Sequence, residues 1–324
     1  MKAILARAFG GPEVLELHDV PDPTPGPGQV LVHVHAAGVN PFDTYMRTGN
    51  YAIKPPLPYT PGADAAGVIE AIGSDVRGWT VGTRVFIGGT ATHKSYGAYA
   101  EKVLCEPHQV HPLPSRLTFA QGASVNVPYV TAWRALHLRG RIQPGETLFI
   151  HGASGSVGTA ATQIARAFGL KVIGTAGSDE GLALVRTQGA AHALNHRTPD
   201  YMDRLKELTE GRGPDVILEN LANVNLDNDL TALAHGGRVV IVGNRGRIEI
   251  DPRKTMSKEG AILGMALWNT TPEEWSRIYH ALDAGLTDGT LTPHVAIEMP
   301  LAEAPRAHER VLEPAANGKI VLLP

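Results

Sequence analysis

Short apolar runs, punctuated by glycine and proline, mark the first third of the chain. They fall at Lys2 to Phe9, Val14 to Leu17, Gln29 to Ala36, Gly67 to Ile72, Thr83 to Ile87 and Tyr99 to Leu104, with the turn-rich Pro21-Asp-Pro-Thr-Pro-Gly-Pro-Gly28 among them. This texture predicts a β-rich domain. His33 and His35 alternate with Val32 and Val34, so both imidazoles share one sheet face; a half-solvated strand explains them more simply than a metal site. From Thr118 the pattern turns helical, at Gln121 to Val125 and Tyr129 to Leu138. Beyond it, apolar runs and helical stretches alternate: Leu148 to Ile150, Thr159 to Phe168, Lys171 to Gly174, Ala183 to Thr187, Asp215 to Glu219, Leu226 to Leu233, Arg238 to Val242 and Ala261 to Leu267. Alternation of this kind predicts an α/β domain with a doubly wound parallel sheet of about six strands. A helix through Trp275 to Ala284 and a last strand, Lys319 to Leu323, are expected to return to the first domain. The expected division is 1–122, then a dinucleotide-binding domain over 123–267, then the return over 268–324.

The joint in this pattern is Leu148-Phe-Ile-His-Gly-Ala-Ser-Gly-Ser-Val-Gly158, an apolar run that passes through spaced glycines into a helical sequence. Gly152, Gly155 and Gly158 supply permissive backbone for a sharp turn, for approach of a pyrophosphate and for helix-on-strand packing. Free amides and the positive end of the helix dipole suit a diphosphate there. The usual fingerprint asks for glycine at 153, where Ala153 stands, so the motif alone is weak evidence, and a tight strand-to-helix connection with no ligand is the lesser alternative. A second strand directly after the helix favours the dinucleotide reading.

Composition narrows the function classes. The chain has 324 residues, 43% apolar and 19% charged, with a net charge of −3, and no block of like charges calls for nucleic acid or a membrane surface. With no apolar run long enough to span a bilayer, a cytoplasmic location is expected. The single cysteine, Cys105, excludes an internal disulfide and any multi-cysteine zinc cluster, and its strand context reads as core.

Several separate segments resemble one family along the whole chain. Ala37-Gly-Val-Asn-Pro-Phe-Asp43, Leu57-Pro-Tyr-Thr-Pro-Gly62, the glycine segment, Asn220-Leu-Ala-Asn-Val-Asn225 and His235-Gly-Gly-Arg-Val-Val-Ile-Val-Gly243 are similar to quinone oxidoreductases of the zeta-crystallin type. These form a zinc-free branch of the medium-chain dehydrogenase/reductase superfamily. The resemblance implies a GroES-like catalytic domain beside a Rossmann domain. Zinc-dependent relatives hold a catalytic metal with a cysteine and a Gly-His-Glu segment; here Asn40 replaces the cysteine and Gly62-Ala-Asp64 replaces the triplet, so the metal-ligand set is empty of thiolate and imidazole. Asp43 and Asp64 alone are poor zinc ligands.

What the resemblance implies is NADPH-dependent reduction of a quinone, with neither zinc nor flavin. Asn40, Tyr45 and Tyr51 are expected near the nicotinamide, with Tyr51 as proton donor and Tyr45 also touching cofactor. Cofactor contacts are expected from Ser154, Gly155, Ser156 and Val157 at the pyrophosphate, and from Gly177 and His196 near the adenosine ribose. Asn225, Val242, Gly243, Asn244, Arg245, Met265, Ala266 and Leu267 complete the set. A 2-alkenal or enone reductase would use the same parts. A structural crystallin-like or RNA-binding role belongs to other zeta-crystallin relatives, and the lack of a basic stripe argues against RNA as the main partner. A homodimer or homotetramer, paired through sheet edges of the dinucleotide domains, is expected.

The preference for NADPH over NADH has a bottom-up reason. NAD sites place an acidic side chain about twenty residues beyond the glycine motif, whereas Thr175, Ala176, Gly177 and Ser178 occupy that place here. Asp179 and Glu180 come just after, and His196, Arg197 or Arg245 are the candidates to meet a 2′-phosphate.

Overall fold

The computed structural model describes residues 1–88, 97–314 and 316–324. The chain forms two units, one of residues 1–127 with 292–324 and one of residues 128–291.

In the first unit β1 (Lys2–Ala6) pairs with β2 (Leu15–Asp19). The strands β3 (Val30–Val39), β4 (Asp64–Ile72), β5 (Arg84–Ile87), β6 (Lys102–Cys105) and β7 (Val110–Pro112) belong to a seven-stranded sheet. Valines at 30, 32 and 34 of β3 point into a core shared with Ile4, Ile69, Tyr99, Val103 and Ile320, where Cys105 is also buried. His33 and His35 lie on the opposite, exposed face with ring centroids 5.0 Å apart.

The second unit is built on β8 (Thr147–Ile150), β9 (Lys171–Ala176), β10 (His192–Asn195), β11 (Val216–Glu219), β12 (Arg238–Ile241) and β13 (Ala261–Gly264). They lie in the order β10-β9-β8-β11-β12-β13, and every pairing is parallel. The chain winds outward from β8 to β10, then restarts at β11 on the other side of β8. That reversal opens a crevice at the carboxyl ends of β8 and β11, where doubly wound sheets take ligands. Phe149, Ile173, Ile217 and Val239 give the sheet a fully buried face, covered by Leu205, Leu226, Leu230 and Leu233.

The chain then returns to the first unit through β14 (Val295–Pro300) and β15 (Lys319–Leu323), and β15 pairs antiparallel with β3 through Ile320 and Val39. The return begins later than expected. The helix Pro272–Asp288, assigned above to the returning segment, belongs to the second unit. It starts on a capping box made by Thr271 and Glu274 and buries Ile278, Leu282 and Leu286, one face at helical spacing. Arg134 ties it down by bonding Glu274 at 3.1 Å and the Asn269 carbonyl at 3.3 Å. At the other boundary residues 123–127 stay with the first unit, because Asn126 and the Val127 amide both bond Asp64.

Two sequence expectations change in detail. The strand expected over Ala261 to Leu267 stops at Gly264, and residues Leu267–Asn269 form a 3-10 turn. Strand β10 lacks an apolar run because it is a half-buried edge, and periodicity does not show it. At the other edge β13 leaves Ile262 and nearby Trp268 exposed, at 37% and 48%.

Candidate active site

Except for Tyr45, which lies in the first unit, the expected cofactor residues lie at the carboxyl ends of the parallel strands or on the helix that follows. After β8 the backbone turns through Gly152 at φ +63°, a left-handed conformation that favours glycine. The helix Ser156–Ala167 then starts from Gly155 with no side-chain cap. Its first helical bond runs from the Thr159 amide to the Gly155 carbonyl, so the amides of Ser156, Val157 and Gly158 have no acceptor within the helix. A Cβ at Gly158 would stand 2.5 Å from Ala153 Cα, so glycine is what lets this helix pack onto its own turn. A Cβ at Gly155 would meet only the Gly152 carbonyl, at 3.4 Å, which leaves the loop open to an approaching group. These features fit a pyrophosphate: open backbone, free amides and the positive end of a 12-residue helix.

Around this cradle, Gly177 directly follows β9. A Cβ there would lie 2.8 Å from His196 Nε2 and 3.0 Å from Arg197 Nε, so β9 and β10 bring two basic side chains against a glycine where an acid would select NAD. Asp179 and Glu180 begin the helix Asp179–Thr187 and are exposed, with Ser178 as its cap. Val242 and Gly243 follow β12, their amides donating to the Glu219 carbonyl at 2.9 and 3.2 Å. Any Cβ at Gly243 would strike the Asn220 carbonyl. Arg245 is exposed, its amide bonded to Asn223 Oδ1. Met265, Ala266 and Leu267 follow β13, half-buried. Asn225 departs from the expectation in part, since its amide is directed at Glu219 Oε1, 3.3 Å away.

Beneath the cradle sits a group that sequence reasoning missed. His151 Nε2 lies 2.7 Å from Asp229 Oδ1 and 3.5 Å from Glu219 Oε2, all three side chains buried. Among the described residues they are the one set of three such side chains with ligand atoms within 4.8 Å of one another.

In the first unit, Tyr45 lies on the helix Pro41–Arg47 and Tyr51 in the following segment, both half-buried, with rings 6.4 Å apart. Burial raises the Tyr51 phenol above its ordinary value, and the nearby Asp43 and Tyr45 add to the rise, so Tyr51 keeps its proton at neutral pH. Asp43 is the centre of a chain of donors. Its Oδ2 accepts from the Asn40 amide at 2.9 Å and the Tyr99 hydroxyl at 3.3 Å. His308 Nε2 lies 3.2 Å from that hydroxyl, and its Nδ1 lies 3.3 Å from Arg47 Nη1. Arginine only donates, so Nδ1 accepts and Nε2 carries the hydrogen, which runs the chain from Arg47 to Asp43. Burial, helped by Arg47, depresses His308 to about 3 and keeps it neutral. Burial pushes Asp43 up to about 7 against these donors.

Asn40, expected near the nicotinamide, has its side-chain amide engaged by protein groups. Its Nδ2 donates to Asp64 Oδ2 at 3.0 Å and its Oδ1 accepts from Lys319 Nζ at 2.6 Å. Lys319 also pairs with Asp64 Oδ2 at 2.6 Å, both side chains 1% exposed. The remaining Asp64 oxygen accepts from Asn126 Nδ2 and the Val127 amide, each at 3.0 Å. Gly38 makes this possible, because a Cβ there would stand 2.6 Å from Lys319 Cε. In the sequence the signal is one lysine opening an otherwise apolar strand. Replacing it, as Lys319→Met, strips the cation from a buried carboxylate, and such breaks cost roughly 3–5 kcal/mol. Urea unfolding should show a loss of about that size; an unchanged midpoint and slope would contradict the pairing.

Comparison with known proteins agrees with this architecture. Residues 26–115 match the model of the alcohol dehydrogenase GroES-like domain, and residues 156–284 match that of the zinc-binding dehydrogenases. The chain is 49% identical over 325 residues to a quinone oxidoreductase of Homo sapiens, covering 100% of this chain and 98% of that one. A quinone oxidoreductase of Pseudomonas aeruginosa is 34% identical, with 100% and 99% covered. Among solved structures, the Escherichia coli quinone oxidoreductase complexed with NADPH superposes with a TM-score of 0.90 at 30% identity, over 100% of both chains. With the parallel sheet, the glycine cradle and full-length identity of this size in agreement, the chain belongs to the quinone oxidoreductase family of the medium-chain dehydrogenase/reductase superfamily.

Proposed function

We propose that this chain reduces quinones with NADPH and without a metal ion. The full-length identity to quinone oxidoreductases carries the reading, and the cradle at the end of β8 supports it. Bound NADPH supplies the reducing equivalents from its nicotinamide. The chain binds the pyrophosphate through the free amides of Ser156 and Val157 with Ser154 and Gly155. It takes the 2′-phosphate beside Gly177 with His196 and Arg197, and flanks the rest of the cofactor with Val242 to Arg245 and Met265 to Leu267. Tyr45 shapes the cofactor side of the catalytic unit. Tyr51 holds its proton and donates it to the substrate oxygen. Asn40 acts indirectly, by positioning Lys319 and Asp64.

Zinc does not fit these residues. Where the zinc-dependent relatives present thiolate and imidazole, this chain has a neutral amide at Asn40 and a methyl at Ala63, and the Asp64 carboxylate is saturated by Lys319, Asn40 and Asn126. An ordinary ketone would develop an alkoxide with no Lewis acid to stabilise it, whereas a quinone accepts reducing equivalents readily. No helix among the described residues is long and apolar enough to cross a membrane, and a single buried cysteine suits the reducing cytoplasm.

Initial rates of NADPH consumption in the presence of a chelator test this directly. Turnover of 1,2-naphthoquinone and a benzoquinone is expected to persist, with Tyr51→Phe about 100-fold slower in kcat/KM. Strong turnover of a 2-alkenal with none of either quinone would replace quinone with enone as the substrate class.

Cofactor choice has its own test. Gly177→Asp sets a carboxylate against His196 and Arg197 and repels a 2′-phosphate, so the NADPH/NADH ratio of kcat/KM should fall at least about tenfold, or about 1.4 kcal/mol. Equal use of both cofactors by the unmodified protein would remove the role given to Gly177.

The exposed edge of β13, with Ile262 and Trp268 beside it, supports a homodimer or homotetramer through sheet-edge pairing. Light scattering at micromolar concentration should give a mass of at least two chains; a monomer would exclude it.

A further inference from the structure

We propose that Glu219 holds a proton which it donates to Asp229, and that this shared proton buckles the phosphate loop to the strand and helix beneath it. The proposal rests on the reading above that the loop binds NADPH. Glu219 is the last residue of β11, Asp229 lies on the helix Ala222–Ala232, and His151 is the first residue after β8. The three therefore join both strands of the crevice to the helix between β11 and β12. His151 also holds the loop through its backbone: its amide donates to the Leu218 carbonyl at 3.2 Å and its carbonyl accepts from Asn220 Nδ2 at 2.8 Å. Gly152, where the cradle turns, is the next residue.

Hydrogen-bond accounting places the proton. Glu219 and Asp229 are fully buried, and Glu219 Oε2 and Asp229 Oδ2 are buried without a hydrogen-bond partner. Unsatisfied buried carboxylate oxygens are costly, and two buried negative charges side by side more so. One hydrogen between the carboxyls satisfies both oxygens. Asp229 already accepts from His151 through Oδ1, as an ionised carboxylate does. Glu219 Oε1 accepts from the Leu221 amide and from Asn225, as the carbonyl of a protonated acid does. Oε2 is then the hydroxyl, and it donates to Asp229.

Electrostatics agrees with that count. Burial raises both carboxyls to about 7, and their mutual bond raises Glu219 while lowering Asp229. Burial depresses His151, so it stays neutral and offers Nε2–H to Asp229. The other titratable groups in electrostatic reach are Tyr201 and His196, neither of them a permanent cation. A metal ion suits the geometry less well. The 2.7 Å between His151 and Asp229 is a hydrogen-bond distance, whereas two ligands on tetrahedral zinc stand about 3.3 Å apart.

The sign of the pH effect follows. A carboxyl of ordinary pKa about 4 in the unfolded chain and about 7 in the folded one binds more protons when folded between those values. Its contribution to stability is whole below about pH 4 and is lost as pH rises through about 7. Above 7 the second carboxylate ionises in place, repels Asp229 and releases the loop.

Three measurements on the full chain test this. In infrared spectra of the protein without cofactor, the carbonyl absorption of protonated carboxyls at pH 6, to which Asp43 also contributes, should be smaller in Glu219→Gln, and the difference between the two proteins should fade by pH 8. NADPH affinity, read by fluorescence, should weaken several-fold between pH 6 and 8.5 in the unmodified protein. Glu219→Gln, whose amide donates to Asp229 at every pH, should abolish that fall. Matching pH profiles for the two proteins, the same infrared band in both, or a stoichiometric metal ion by elemental analysis would overturn the proposal. Should Glu219→Gln not fold, the infrared titration of Asp43→Asn, which removes the other raised carboxyl, decides. Failure to bind NADPH at any pH with the band intact would count against the cofactor reading and leave the shared proton standing.

Discussion

The buried pair of Lys319 and Asp64 is the constraint on which the catalytic unit depends. The chain leaves this unit after residue 127 and re-enters it at 292, so its sheet is completed by a strand from the far end of the sequence. Each element of the repair meets at one carboxylate: Asp64 opens β4, Lys319 opens β15, Asn40 caps the helix carrying Tyr45, and Asn126 ends the unit's first passage. An unpaired ammonium or carboxylate in so dry a place would cost several kcal/mol, so β15 is stable only in the register that brings the two together. A one-residue slip would put Lys319 on the wrong face of the sheet.

Much of the second unit was legible in the sequence because its signals are local. Buried parallel strands read as continuous apolar runs, and a glycine-rich turn between strand and helix reads as a cradle within eleven residues. The positions of this unit assigned to cofactor by resemblance fall where the strands end or on the helices that follow. What escaped were contacts between residues distant in the chain. Lys319 and Asp64 are 255 positions apart and His151 and Asp229 are 78 apart, and neither periodicity nor a short motif connects such pairs. Asn40 illustrates the same limit: resemblance gave its location, but its role depends on a lysine that arrives at the end of the chain. The late domain boundary has a similar origin, since Arg134 holds the helix Pro272–Asp288 from 140 residues away.

The protein keeps buried carboxylates in three ways, and the differences follow from what each one faces. Asp64 faces a lysine and is satisfied as an ion pair. Asp43 faces only neutral donors, an amide and a phenol, so burial raises it toward neutrality, and a chain of hydrogen bonds donated from Arg47 through His308 and Tyr99 ends on it. Glu219 and Asp229 face each other with one imidazole and no cation, a set that is satisfied only with a proton between them. Low dielectric makes each solution stronger than it would be in water and makes the alternative, an unpaired charge, untenable.

Those three solutions also divide the chemistry between the units. Had a metal stood among Asn40, Ala63 and Asp64, its divalent charge would have organised the surrounding carboxylates and served as the electrophile for a carbonyl. An ammonium locked against a carboxylate supplies the organisation but not the electrophile, because its charge is spent on Asp64 and its donors on buried acceptors. In the proposed function, activation of a substrate oxygen falls to a hydrogen-bond donor that keeps its proton, and Tyr51, raised by burial and by the neighbouring Asp43, is such a group. A phenol stabilises an oxygen on its way to becoming a hydroxyl far less than a divalent ion stabilises an alkoxide, so a site working in the proposed way favours acceptors whose own electronic structure spreads the incoming charge.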